Sequence, residues 1–479
     1  MLTTSMRLGR TRVGDCPAGL SRRPIVTATS GRDMRSSGLA QRGRSRAQGE
    51  QTRKSRACAT RPCARADGRR GIVGADRACD MERLPPSLRL INRVGRVWRS
   101  AGGSPRALRA DALLSEALSA SGRADLGPVA DYRPGLDVLL SGLQRAPHLS
   151  TVGRVIMTRR IRTVLTHRAE RETWCERSPE RFRAPLPAPL IIVGLPRTGT
   201  TFLHHLLSSV PNTRSLALWQ VSRPFPPVEG PDRRRAAAKR LMGWIGHALP
   251  EFEAKHDTDA DAPEECMHIM NLSFYAWTYW SMAGIPGYRE WWWEADPEPA
   301  YRAWSEALRF EQFERPQDRL VLKSPSHTAQ LAALLAAEPD ARIVFTHRDV
   351  ASVVPSFASL IRTMRRATYL PEYLDRNALG AETLDQLART ADRARAARSS
   401  IPADRLVDVP FEALRADPVG VVERIHKAFG FDWDPRIEQA VREAAENKGH
   451  RKSSGHRYSA EEFGLNKDEI RERIPTLLP

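Results

Sequence analysis

Cysteine is scarce in this chain, with six in 479 residues. Four of them, Cys16, Cys58, Cys63 and Cys79, fall within the first 80 residues without the paired spacing or nearby histidine of a zinc site, and Cys175 and Cys266 lie far apart. So few thiols over this length exclude a disulfide-stapled framework and make a reducing, cytoplasmic compartment the expectation. Long apolar runs are missing as well. No stretch approaches the ~18 consecutive apolar residues that suggest a spanning helix, so no transmembrane segment is expected. No apolar secretory core precedes Met81 and no internal repeat is visible. Acidic residues are in deficit, 56 Asp+Glu against 75 Lys+Arg, for a net charge of +19. Such a surplus invites a nucleic-acid reading, which depends on where the charge sits.

Most of it sits in one place. Residues 1–80 carry 18 Lys+Arg and 6 Asp+Glu, +12 of the +19, leaving an ordinary +7 for residues 81–479. This segment is rich in Arg, Ala, Gly and Ser and shows no sustained helix or strand period. It cannot bury enough apolar area to offset its ordering entropy, so it reads as a disordered basic tail. Three roles compete for it: a basic arm for nucleic acid or an anionic membrane, a targeting presequence, and sequence upstream of a true start at Met81. The last is favoured, and no nucleic-acid partner is expected.

From Met81 the pattern changes. RLINRVGRVW, DALLSEALSA, DVLLSGLQRA and TVGRVIMTRRIRTVLTHRAER space their apolar residues at i, i+3, i+4, which predicts a helical region over 81–185. At Pro185 the character changes again. LPAPLIIVG, LVLKSP (320–325), ARIVFTHRD (341–349) and DRLVDVPFE (404–412) are short, β-branched-rich runs that read as buried strands. Helical stretches separate them, and the alternation argues for a parallel α/β sheet.

The strongest local signal is the strand ending at Val193, then Gly194-Leu-Pro-Arg-Thr-Gly-Thr-Thr201, then the apolar helix FLHHLLSSV. Backbone N–H groups of such a loop converge on an anion at the helix N-terminus. A nucleotide-hydrolysing P-loop or a kinase carries Lys after the second glycine. Here that place is Thr200, and the cation is Arg197 inside the loop. The loop suits an anion without the usual magnesium–nucleotide apparatus, although a P-loop kinase or nucleotidase remains the rival reading.

With these residues in view, the sequence resembles the sulfotransferases that use 3′-phosphoadenosine 5′-phosphosulfate, in particular a bacterial-type branch. Pro196-Arg-Thr-Gly-Thr-Thr201 is similar to the family's 5′-phosphosulfate loop, with Arg197 where many members have Lys. RIVFTHRDVASVVPS is similar to the family's second motif, which implies that Arg348 and Ser356 bind the 3′-phosphate. LKSPSH resembles a segment that places Lys323 in the active site. KGHRKSSGHRYSAEEFGL resembles a C-terminal motif, where Lys448, Arg451 and Lys452 would close over the same phosphate. The resemblance spans roughly residues 187–470. It implies a P-loop-like sheet flanked by helices in a domain over 186–479, preceded by the helical region 81–185 and the tail 1–80. It also implies a metal-free reaction.

By that resemblance the chemistry is transfer of a sulfuryl group to a hydroxyl or amine. The task is in-line positioning and stabilisation of leaving-group charge. Arg197 and Lys323 would face the departing phosphate, Gly199, Thr200 and Thr201 would supply donors, and Pro196 and Thr198 are expected to bind the donor with the rest of the loop. A base must take the acceptor's proton. Two candidates stand: His327, and the pair Glu264-Glu265, placed at a helix start by Pro263 in the first turn and Asp261 as its cap. His204 and His205 read as structural. Residues 274–304 hold six of the eleven Trp, together with Tyr275, Tyr279, Tyr288 and Tyr301. This cluster is either packed core and lid or an aromatic pocket for a sugar, a glycolipid or a phenol. The acceptor is left as a small molecule, carbohydrate or glycolipid.

Overall fold

A computed structural model of the chain describes residues 84–103, 108–255, 259–449 and 459–475. The tail 1–80 and the basic pair Arg451 and Lys452 lie outside the described residues, as does the side chain of Lys448.

Five parallel strands form one sheet: Leu190–Gly194 (β1), Thr213–Arg214 (β2), Arg319–Lys323 (β3), Arg342–His347 (β4) and Leu406–Pro410 (β5), in the order β2-β3-β1-β4-β5. The parallel α/β architecture expected from sequence is therefore present. Its cause is visible in β1. Every residue of Leu-Ile-Ile-Val-Gly is buried, because both faces of the sheet are covered. Leu190 and Ile192 point to one face, against Leu203 and Leu206 of helix α5 (Thr200–Ser208, named after the four helices below). Ile191 and Val193 point to the other, into the larger core. The edge strand β5 instead alternates buried and half-buried residues. Strand β2, only two residues long, was not expected, since so short a strand carries no alternation to read.

The helical region is four helices: α1 (Pro86–Ser100), α2 (Ala110–Ser121), α3 (Arg133–Gln144) and α4 (Thr151–Arg177). Ser150 caps α4, its hydroxyl accepting from Gly153 N at 3.0 Å. This region shares one hydrophobic core with the sheet-bearing part. Arg168 of α4, 1% exposed, donates to the carbonyls of Leu126 at 2.9 Å and Leu272 at 2.8 Å. Further on lie α6 (Arg234–Ala248) and α7 (Val350–Thr368). The ends of α4 and α7 approach so closely that a Cβ on Gly153 would lie 2.2 Å from the Thr368 carbonyl oxygen.

The strand order positions the site. From β1 the chain moves first to β2 and β3 on one side, then returns to add β4 and β5 on the other. Crevices open beyond the carboxyl ends of strands at such a switch point. Here those ends deliver the loop after Gly194, Lys323, and Arg348 immediately after β4.

Candidate active site

The loop 195–199 is held from several directions. Thr198 Oγ1 donates to the Leu195 carbonyl at 2.7 Å and pairs with Thr346 Oγ1 at 2.6 Å. Thr328 Oγ1 donates to the Gly194 carbonyl at 2.9 Å and accepts from Gly194 N at 2.8 Å. The hydroxyl of Thr198 is thus spent on loop shape and does not border the cleft below. Arg197 sits at φ 69° and Gly199 at φ 91°, left-handed conformations that wrap the backbone around the start of α5. Gly199 is the cap residue of α5 and has no side chain to occupy the helix's first N–H groups. Those groups and the helix dipole are turned to an incoming anion.

Two cations and a hydroxyl gather on this loop. Arg348 Nη1 donates to the Arg197 carbonyl at 3.0 Å, and Arg197 Nε donates to Ser356 Oγ at 3.1 Å. The Arg348 guanidinium lies over the Phe411 ring, 4.3 Å from its centroid. Burial lowers the Arg348 pKa from its ordinary value, yet a guanidinium stays charged. Pro196, Arg197, Gly199, Thr200 and Thr201 all border one cleft of about 2540 Å³, as do Arg348 and Ser356. Sequence reasoning missed Arg415, which borders the same cleft and is close enough to Arg348 to repel its charge. Its only sequence signal was a basic residue on the turn of helix after β5.

The two base candidates are placed differently. Glu264 and Glu265 border the cleft. Lys323 Nζ donates to Glu265 Oε1 at 2.8 Å and stands 4.0 Å from Glu264 Oε1. Glu264 also accepts from the backbone N of Glu265 at 2.8 Å. Lys323 has no exposure and is not on the cleft wall, so it reaches the site through Glu265. The expected helix start is corrected. Pro263 pairs with Ala217 in an isolated antiparallel bridge, and Glu264 N donates to the Leu216 carbonyl at 3.0 Å. The pair is therefore extended, and Glu265 caps the 3-10 turn Cys266–Ser273. Asp261 instead pairs with Arg235 and Lys239 of α6.

His327 is enclosed behind the cleft wall. Its Nδ1 pairs with the Tyr301 hydroxyl at 2.8 Å and its Nε2 with Cys266 Sγ at 3.1 Å. Burial pushes its pKa down to about 3 and that of Cys266 up to about 12, so both are neutral near pH 7. An imidazole in this setting does not meet an acceptor in the cleft. His204 is likewise buried, bonded to the Val321 carbonyl at 3.1 Å, with its pKa pushed down to about 3. His205 borders the cleft. Of the six Trp in 274–304, only Trp277 borders the cleft; Trp280, Trp292, Trp293 and Trp304 are core. The aromatic cluster is thus mainly packing.

Residues 189–435 match the family profile described as "Sulfotransferase family", slightly more than half of the chain. The chain belongs to the sulfotransferase family. Curated sulfotransferases similar to it include the omega-hydroxy-beta-dihydromenaquinone-9 sulfotransferase Stf3 of Mycobacterium bovis and of Mycobacterium tuberculosis. Each is 26% identical over 286 residues, covering 54% of this chain and 68% of the relative. Among solved structures, sulfotransferase STF1 from Mycobacterium tuberculosis superposes with a TM-score of 0.64 at 28% identity, over 77% of this chain and 99% of that one. Sulfotransferase STF9 from Mycobacterium avium superposes at 0.69 and 26%, over 78% and 96%. In this sulfotransferase the P-loop-like sheet leads from β1 into the loop that carries Arg197. The match implies a sulfonate donor as co-substrate.

Proposed function

We propose that the enzyme transfers a sulfuryl group from 3′-phosphoadenosine 5′-phosphosulfate to the hydroxyl of an elongated, largely apolar, lipid-type acceptor. One observation carries the acceptor. Helix α7 lays a single face along the cleft, and that face changes from Ser352 and Ser356 to Leu360, Met364 and Ala367. At ~1.5 Å per residue this face is roughly 22 Å long. The cleft thus continues from the loop cations into a largely apolar trough bordered by Val152, Ile156, Ile245 and Phe252, with Arg159, Arg160 and Arg240 also on its wall. A sugar or small phenol would leave that trough unfilled, whereas a chain with a terminal hydroxyl would lie along it. The curated Stf3 relatives, whose names specify an omega-hydroxylated menaquinone derivative, support the same class.

The residues suit a donor with two anionic groups, gathered on adjoining sides of one loop. The loop N–H groups of Gly199, Thr200 and Thr201, with Arg197, suit the phosphosulfate; Arg348 and Ser356 suit the 3′-phosphate. When bound, the donor supplies the sulfuryl group. Glu265 is the base that takes the acceptor's proton; Lys323 holds its carboxylate in place, and Glu264 holds its backbone N–H. Lys323 supplies positive charge beside the reacting groups from behind Glu265. His327 keeps the wall packed. Arg451 and Lys452 retain their proposed part in covering the 3′-phosphate.

The test is an acceptor screen with sulfur-labelled donor, using long-chain prenyl and alkyl alcohols in detergent against sugars and phenols. Labelled product is expected from the long-chain alcohols. Turnover of sugars or phenols alone would overturn the acceptor class. Failure to bind adenosine 3′,5′-bisphosphate would overturn the donor.

A further inference from the structure

Helix α1 packs Leu88 inward against Ala248, Leu249 and Ala367 but turns its other large apolar side chains away from the protein. The edge it packs on α4 is small and polar. Asn92 Oδ1 accepts from Val152 N at 3.0 Å, Arg99 Nη1 donates to Thr151 Oγ1 at 3.1 Å, and Gly95 abuts the Thr151 side chain. On a second strip, at helical spacing, lie Leu90, Ile91, Val94, Val97 and Trp98. All five are exposed, and Leu90, Val94 and Val97 are each at least 60% so. They make up five of the eleven large apolar side chains that are exposed among the described residues. A third strip holds Arg89, Arg93 and Arg96, and the helix contains no Asp or Glu. An apolar strip of this extent in water marks a contact surface.

Two features say what the contact is. Arg89, Arg93 and Arg96 flank the strip, and Arg96 also meets Glu372 at 3.6 Å; an edge with this surplus of arginine matches an anionic surface. The strip also runs into the mouth of the active-site cleft. Ile91 borders the cleft together with Val155, Leu241 and Trp244, which are exposed as well. We infer that α1 lies in the plane of an anionic lipid bilayer, with its apolar strip at the acyl boundary, its arginine strip among the phosphates, and the cleft mouth opening onto that surface. No helix among the described residues is long and apolar enough to cross a membrane, and an interfacial helix needs neither property. The contact itself stands on α1. Its purpose, passing a hydroxylated lipid from bilayer to cleft without exposure to water, rests on the lipid-acceptor reading above.

The test uses the full chain and vesicles of phosphatidylcholine, alone or mixed with phosphatidylglycerol. Sedimentation is measured at low salt and at about 0.5 M salt, where charge attraction is largely screened. Binding to the mixed vesicles is expected to persist at high salt. It should fall roughly tenfold or more in the triple variant Leu90→Ser, Val94→Ser, Val97→Ser, whose net charge is unchanged. The variant Arg89→Gln, Arg93→Gln, Arg96→Gln should keep high-salt binding and show a weaker preference for the anionic lipid at low salt, since residues 1–80 keep their own charge of +12. Affinity for adenosine 3′,5′-bisphosphate should be the same in all three proteins, so a failed membrane contact is distinguishable from a failed donor site. Three results would overturn the inference: no binding at high salt, a triple variant that binds like wild type, or a dimer in sedimentation velocity that the triple variant dissolves. The last would make a second copy the cover of α1.

Discussion

The buried ammonium of Lys323 donates to the carboxylate of Glu265 at 2.8 Å, across the boundary between the core and the cleft. Lys323 ends β3, and Glu265 caps the 3-10 turn that follows an extended segment. An ammonium with no exposure needs a paired anion. The pairing fixes a carboxylate that would otherwise swing, at the point where the strand ends deliver the anion loop.

Glu265→Gln is expected to lower kcat by about 10²- to 10⁴-fold, the usual range for loss of a positioned base. The affinity for adenosine 3′,5′-bisphosphate should stay within about twofold, since the loop and Arg348 are untouched. His327→Asn should instead lower stability while keeping the rate per folded molecule within a few-fold, because His327 bonds to Tyr301 and Cys266 rather than to the cleft. Rapid-quench kinetics paired with urea melts would reveal a reversed pattern, and with it a wrong choice of base.

Arg348→Gln is expected to weaken adenosine 3′,5′-bisphosphate binding by roughly 10- to 150-fold, the loss of a charged hydrogen-bonding partner. It also removes the bond that Arg348 makes to the Arg197 carbonyl. Adenosine 5′-phosphate, which lacks the 3′-phosphate, should lose far less. Calorimetry with both ligands separates recognition of that phosphate from general damage to the loop; equal losses would show that Arg348 only shapes the loop.

Gly199→Ala is expected to lower donor-site affinity by about tenfold or more. The residue sits at φ 91°, which costs an alanine about 1–2 kcal/mol, and its Cβ would lie 2.9 Å from Phe411 Cδ2. Gly230 has φ 80°, but nothing within 4 Å crowds the place its Cβ would take, so Gly230→Ala carries the backbone cost alone. Thermal melts should show both variants destabilised, and calorimetry should show only Gly199→Ala losing ligand.

How much of this was readable in advance varies with the physics. The apolar runs at 190–194, 319–323 and 342–347 announced strands because both faces of a parallel strand are buried. The loop Gly194–Thr201 was legible because glycines, a cation and a following helix leave few alternatives. The Glu264-Glu265 segment was misread. Pro263 after an aspartate has the spelling of a helix start, but a bridge to Ala217 keeps it extended. Nor does local sequence say which side of a strand end faces a cleft, so His327, four residues past Lys323, was as plausible a base as the glutamates. The solvent-facing side of α1 was invisible for the same reason: its periodicity is that of any amphipathic helix, and only packing shows that the small polar edge is the buried one.

Acid should unfold the protein through its buried histidines. Burial is the main cause that pushes the pKa of His167, His204 and His327 down to about 3 each, against an ordinary 6.5. In the folded state all three are therefore neutral between pH 6.5 and 3, while in the unfolded state they take up protons below about 6.5. The unfolded state binds more protons throughout that window, so stability falls as pH falls. Each fully charged histidine contributes about 1.4 kcal/mol per pH unit, roughly 4 kcal/mol per unit for the three. Burial raises the pKa of Glu170, Glu311 and Glu338 above the ordinary carboxylate value, which opposes this slope in part. A typical stability of about 5–15 kcal/mol would be consumed within a few pH units, so cooperative unfolding is expected near pH 4–5. Urea melts at pH 7, 6 and 5 should show unfolding free energy dropping with the midpoint while the m-value stays constant. A flat profile from pH 7 to 5 would mean that water or a charge partner reaches these imidazoles, and His327 would return as a candidate for the proton transfer.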